Sequence, residues 1–137
     1  MSLKLFAVLV SLISISYNSF SQKNPGDSSK NNAPFELKQY WFVMLTKGTR
    51  RDEIKDTAVI NKIQQAHIDN IVRLNKLGKI IVAGPFGDDT NWRGIFIFNC
   101  KTKEETEELL KTDPAIAAGR LGYEIHPWWS GKNCLFQ

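Results

Sequence analysis

Residues 60–84 read INKIQQAHIDNIVRLNKLGKIIVAG, and within this stretch the hydrophobic period changes once. Ile60, Ile63, His67, Ile71 and Leu74 recur at intervals of three and four, the spacing of one helical face, and Gly78 follows as a C-terminal stop. Beyond it, Lys79-Ile80-Ile81-Val82-Ala83-Gly84 is a short run of branched residues that reads as a strand. A helix followed by a strand in so few residues is half of a βαβ unit, and the flanking sequence supplies the rest. Upstream, Gln39 to Leu45 is an aromatic and branched run ended by Lys47-Gly48, which suits a strand buried on both faces. Downstream, the turn-rich Gly84 to Asp89 leads to a third strand, Gly94 to Phe98, so the second and third strands form a hairpin.

The second half repeats the arrangement. Thr102-Lys103-Glu104-Glu105 has capping-box spacing, which starts a helix at Thr102 with Leu109 and Leu110 turned inward. Asp113-Pro114 opens a second short turn ending near Gly119, and Leu121, Tyr123 and Ile125 then alternate with Gly122, Glu124 and His126 as a last strand. The order βαββαβ predicts an α+β fold, a ferredoxin-like sandwich with both helices on one face of an antiparallel sheet. Pro127 agrees with an edge position for the fourth strand, because proline has no N–H to donate to a ladder. The other sheet face keeps large side chains between Tyr40 and Leu45 and between Ile95 and Phe98. An apolar face of that size marks an interface, and it predicts a homodimer packed sheet to sheet, the dimeric α+β barrel arrangement.

The whole chain has 137 residues, room for one domain against roughly 100–200 residues per domain. Its 42% hydrophobic and 23% charged residues exclude a wholly disordered chain. The net charge of +4 is scattered rather than gathered into an arm, which argues against nucleic acid as partner. Lys4 followed by the apolar run Leu5 to Ile15 has the form of a signal peptide, too short for a stable membrane span. Ser19 and Ser21 place cleavage after Ser21, so residues 1–21 leave and the protein is exported, periplasmic or extracellular. Residues 22–36 then read as a flexible polar leader, 37–131 as the domain and 132–137 as a C-terminal tail. Export permits a disulfide between Cys100 and Cys134, but these follow strands that run in opposite directions, which leaves free or intersubunit thiols as the alternative.

His67 breaks the rule of its own helix. At about 100° per residue it sits at the centre of the apolar stripe, where it is either a satisfied core histidine or a general acid or base. Asp113 is a candidate carboxylate partner, since the end of the second helix lies on the same side of the sheet, though Asp before Pro is also the expected N-cap of a short helix. One capping oxygen can serve both ends. Arg50, Arg51 and Arg93 are either an acid-binding set or a solvated face, and His126 points outward on the last strand. Asp88 and Asp89 have no His or Cys near enough in sequence for a metal site, and no phosphate loop, dinucleotide fingerprint or nucleophile elbow occurs. No metal and no cofactor is expected.

Tyr40 to Leu45, Ala66-His67-Ile68, Leu77-Gly78-Lys79-Ile80 into Gly84-Pro85, Thr112-Asp113-Pro114 before Ala118-Gly119, and the ending Tyr123 to Trp128 together resemble the YCII-related (YciI-like) family, from about residue 39 to 129. The resemblance implies a ferredoxin-like dimer and places the family's recurring His and Asp at His67 and Asp113. It also implies acid/base chemistry on a small organic acid, of the lyase, isomerase or dehydrochlorinase kind. The family's Gly84-Pro85 turn would let backbone approach a ligand, or simply turn the chain; Trp128 and Trp129, as large aromatic side chains, would wall a substrate pocket or cover the dimer seam. The competing reading is an exported, non-catalytic ligand-binding or assembly module. A signal peptide departs from the small cytoplasmic form usual in this family.

Overall fold

A computed structural model describes residues 36–132. The expected signal peptide, the leader up to residue 35, Cys134 and the rest of the tail after Lys132 lie outside the described residues. The elements are β1 (Leu37–Lys47), α1 (Thr57–Lys76), β2 (Ile80–Pro85), β3 (Trp92–Phe98), α2 (Lys103–Lys111), α3 (Pro114–Ala117) and β4 (Leu121–Gly131). The strands form one sheet in the order β2-β3-β1-β4, with every neighbouring pair antiparallel. This is the ferredoxin-like α+β fold.

β1 lies inside the sheet because its apolar run has partners on both sides: Phe42 stands opposite Ile97 of β3 and His126 of β4. Its side chains divide by parity. Val43 and Leu45 join Phe96, Phe98, Ile80, Leu74 of α1 and Leu110 of α2 in one buried cluster, so both long helices cover the same face. Full burial of each such side chain is worth about 1.5–3 kcal/mol, which makes this cluster the main source of stability. Tyr40, Phe42 and Met44 point to the other face, where Tyr40 is buried and Phe42 and Met44 are half-buried in the single chain. Pro127 pairs with Trp41 within β4, at the sheet edge, and the strand runs on to Gly131.

The helix ends follow local chemistry. Asp56 caps α1 by accepting from Ala58 N at 2.8 Å and Val59 N at 3.3 Å, and Gly78 closes it with φ of +67°. Thr102 caps α2, its hydroxyl accepting from Glu105 N at 3.1 Å. The Glu105 carboxylate reaches past Thr102 to accept from Lys101 N at 2.9 Å, and it also meets Lys79 Nζ at 2.6 Å. Cys100 is buried beside α2, and burial pushes its thiol upward. Among the described residues no helix is long and apolar enough to cross a membrane.

Candidate functional site

Two different requirements converge on Asp113. Its Oδ1 accepts from Ala115 N at 2.9 Å and Ile116 N at 3.4 Å, the N-cap of α3 expected of Asp before Pro. The same carboxylate meets His67 Nδ1 at 2.9 Å through Oδ1 and 2.7 Å through Oδ2. Asp113 is 2% exposed and His67 8%, so the pair is almost dry. An ionised carboxylate only accepts, so Nδ1 carries the proton and donates it, which leaves Nε2 as the free nitrogen. Among the described residues Nε2 has no hydrogen-bond partner, and no side-chain nitrogen or oxygen is both sealed and unpaired. Nε2 is therefore not fully sealed.

The register of this pair is braced from beside it. Arg73 Nη2 donates to Asn70 Oδ1 at 2.7 Å and to Thr112 Oγ1 at 2.9 Å, and Thr112 Oγ1 donates to Leu109 O at 2.7 Å. These bonds tie α1, one to two turns beyond His67, to the corner immediately before Asp113. Asn70, Arg73 and Thr112 carry no sequence signal beyond polar residues on a helix and at its end, so their joint role is visible only once the chain is folded.

His67 faces an open cavity of about 320 Å³ between α1 and the β2–β3 end of the sheet. Ile68, Ile71 and Phe96 give it apolar walls, with the Phe96 ring 6.1 Å from the imidazole, centroid to centroid. Gly84 and Pro85 line it too, as strand residues of β2 rather than as the expected turn. The constrained glycine is their neighbour: a Cβ on Gly94 would stand 2.5 Å from Gly84 O and 3.0 Å from Pro85 Cα. Trp128 does not reach this cavity. It pairs with Tyr40 on the opposite sheet face, ring centroids 6.2 Å apart, so the expected place in a substrate pocket is corrected by strand parity.

The arginines separate. Arg50 pairs with Glu53 at 3.0 Å on the outside, whereas Arg51 and Arg93 both line the cavity. Arg93 Nη1 meets Asp89 at 2.9 Å, and Lys47 shares that carboxylate at 3.4 Å; Lys47 and then Arg93 hold Asp89 below its usual range. Burial, followed by the nearby Arg120 and Arg93 charges, lowers Arg51 from its ordinary value. Arg51 reaches the cavity because its loop folds back, Gly48 N donating to Arg120 O and Arg50 N to Gly119 O, both at 3.0 Å. His126 is exposed, 3.6 Å from Glu124. Among the described residues no three His, Cys, Asp or Glu side chains gather as metal ligands.

Residues 41–129 match the YCII-related domain. No curated protein matches the chain. Among solved structures it is similar to a 5-chloro-2-hydroxyhydroquinone dehydrochlorinase from Burkholderia phenoliruptrix AC1100, determined with 2,5-dihydroxybenzoquinone, at 22% identity and a TM-score of 0.47, over 64% of this chain and 92% of that one.

Proposed function

The chain belongs to the YCII-related domain family, and on that footing we propose that it is a cofactor-free enzyme in which His67 moves a proton on a small organic acid. The observation that carries this reading is the 2.7 Å contact between His67 Nδ1 and Asp113 at the wall of an open cavity. Asp113 keeps the proton on Nδ1, so Nε2 meets substrate as a base, and the carboxylate stabilises the imidazolium that results. Proton removal next to a carbonyl leaves an electron pair in the substrate. The pair either expels a leaving group, as a lyase or dehydrochlorinase requires, or is reprotonated by the imidazolium at another carbon, as an isomerase requires. Both routes are redox-neutral, and neither needs an external electron carrier.

Three features support the proposal against a non-catalytic binding or assembly module. The imidazole lines a concave site, its partner is within hydrogen-bond distance, and Ile68, Ile71 and Phe96 give that site an apolar flank. The experiment is hydrogen–deuterium exchange in D₂O, followed by proton NMR, for a panel of small cyclic and acyclic keto and hydroxy acids. The wild type exchanges a C–H of at least one acid, and His67→Gln does not. A wild type that exchanges none of them, or a variant that exchanges equally, refutes general-base chemistry on this class.

Two further parts of the reading concern context. The first 21 residues direct export, so mass spectrometry of the processed protein finds Gln22 at its N-terminus. The face carrying Phe42, Met44 and Ile95 pairs with a second copy, so Met44→Lys shifts the sedimenting species from dimer to monomer.

A further inference from the structure

The cavity beside His67 holds more positive charge than its own carboxylates balance. Arg51 and Arg93 both line it, and no Asp or Glu does. Among the described residues Arg51 has no carboxylate within ion-pair distance; its Nη1 makes one long bond, 3.4 Å, to Arg120 O. A guanidinium presents several N–H donors in a planar fork, so most of the Arg51 donors are left over. Arg93 uses Nη1 on Asp89 and on the neighbouring carbonyls of Asp88 and Thr90, and its remaining nitrogens have no partner among the described residues. Asp89 is itself shared with Lys47, so it cannot neutralise the arginines as well.

We propose that Arg51 and Arg93 form a carboxylate subsite, which makes the ligand of this cavity a compact carboxylic acid whose anionic end lies on the arginines and whose apolar body lies on Ile68, Ile71 and Phe96. This deepens the reading of His67 as proton carrier and rests on it for the identity of the bound molecule as substrate. Two guanidiniums facing one carboxylate supply charge-assisted and bidentate bonds, a geometry that a neutral amide or alcohol of the same shape does not use. The direction of the Arg51 shift agrees: burial and the Arg120 and Arg93 charges outweigh the opposite pull of Asp89 and Asp52, the situation that a bound anion relieves. A cavity of about 320 Å³ stands at the small end of ligand sites, which runs from roughly 300 to 1,000 Å³, and so matches a compact acid. The wall at Ala83, Gly84 and Gly94 has almost no side chain, which leaves room for a flat ring.

The two arginines have separate tasks. Arg51 is the free cation and supplies most of the affinity, whereas Arg93 leaves Asp89 to close on the anion. Lost affinity is therefore expected from Arg51→Gln, and gained affinity from Asp89→Asn, which releases Arg93.

The test is calorimetric titration of the purified protein with benzoate and, as the neutral isostere, benzamide. Benzoate binds the wild type more tightly than benzamide does. Arg51→Gln weakens benzoate by about 10- to 100-fold and leaves benzamide unchanged, in keeping with the loss of a charge-assisted pair. Arg51→Lys, which keeps the charge but not the fork, falls between the two and guards against a folding defect. Arg50→Gln, on the outside, changes nothing, and Asp89→Asn tightens benzoate. Equal binding of benzoate and benzamide, no detectable benzoate binding, or Arg51→Gln at wild-type affinity overturns the subsite. His67→Gln separates the two claims: benzoate binding that survives in this variant stands whether or not the variant has lost proton exchange.

Discussion

Replacing Asp113 separates its two tasks, because Asn and Ala remove different bonds. Asp113→Ala removes the acceptor for Ala115 N and Ile116 N, a cap worth about 1 kcal/mol. It also strips the buried His67 Nδ1 of its charged partner, a hydrogen bond worth about 1.5–3 kcal/mol. Together these set an expected loss of about 3 kcal/mol, or about 12–24 °C in Tm for a domain of this size. Asp113→Asn keeps an oxygen for the cap and loses only the charge, so its cost is smaller by about the 1 kcal/mol of the cap. The assay is urea unfolding followed by tryptophan fluorescence, with the slope checked for constancy so that the change in midpoint reads stability. Repeating both substitutions in a His67→Leu background, which has no N–H to donate, completes a double-mutant cycle, in which the cost of Asp113→Ala falls toward the cap value alone. A cost for Asp113→Ala below about 1 kcal/mol, or the same cost in both backgrounds, refutes the coupling of the two side chains.

Glu105 is held below the ordinary carboxylate range, first by Lys79 and then by Lys101 N. A carboxylate depressed in the folded state adds stability above its unfolded value, and that contribution is lost as pH falls through the folded value. The stability gap between wild type and Glu105→Gln is therefore present at neutral pH and narrows below about pH 4 in urea unfolding measured across pH. Gly94→Ala presses a Cβ into the Gly84 carbonyl, backbone against backbone, so the β2–β3 pair must part at the cavity. The expected cost is about 1–3 kcal/mol, with faster amide exchange at Phe86, whose N–H donates to Arg93 O at 3.1 Å.

How far the sequence is legible depends on the range of the interaction. The helical stripe from Ile60 to Leu74, the alternation after Leu121 and the Thr102 cap are local patterns, and each appears where the residues place it. The start of α1 is not where the stripe begins, because Thr57, Ala58 and Val59 are exposed and pack on no core; Asp56, as a cap, marks it. Asp113 is readable as a cap from Pro114, and its second role depends on α3 packing against α1. Gly84-Pro85 misleads because proline is tolerated in β2, an edge strand. Arg51 is the least legible of all. It belongs to an aperiodic loop drawn in by Gly48, which passes so close to Gly119 O that a side chain would not fit, and such long-range backbone contact has no period to detect.

¹⁵N NMR of the imidazole shows whether His67 presents a bare Nε2 to the cavity while Nδ1–H is held by Asp113. The chain has two histidines, so His126→Gln leaves one signal to follow. In the neutral form Nδ1 is expected to be protonated and Nε2 unprotonated, and Asp113→Asn weakens this preference. A proton found on Nε2, with Nδ1 bare against the Asp113 carboxylate, rules out His67 as a base held in this way.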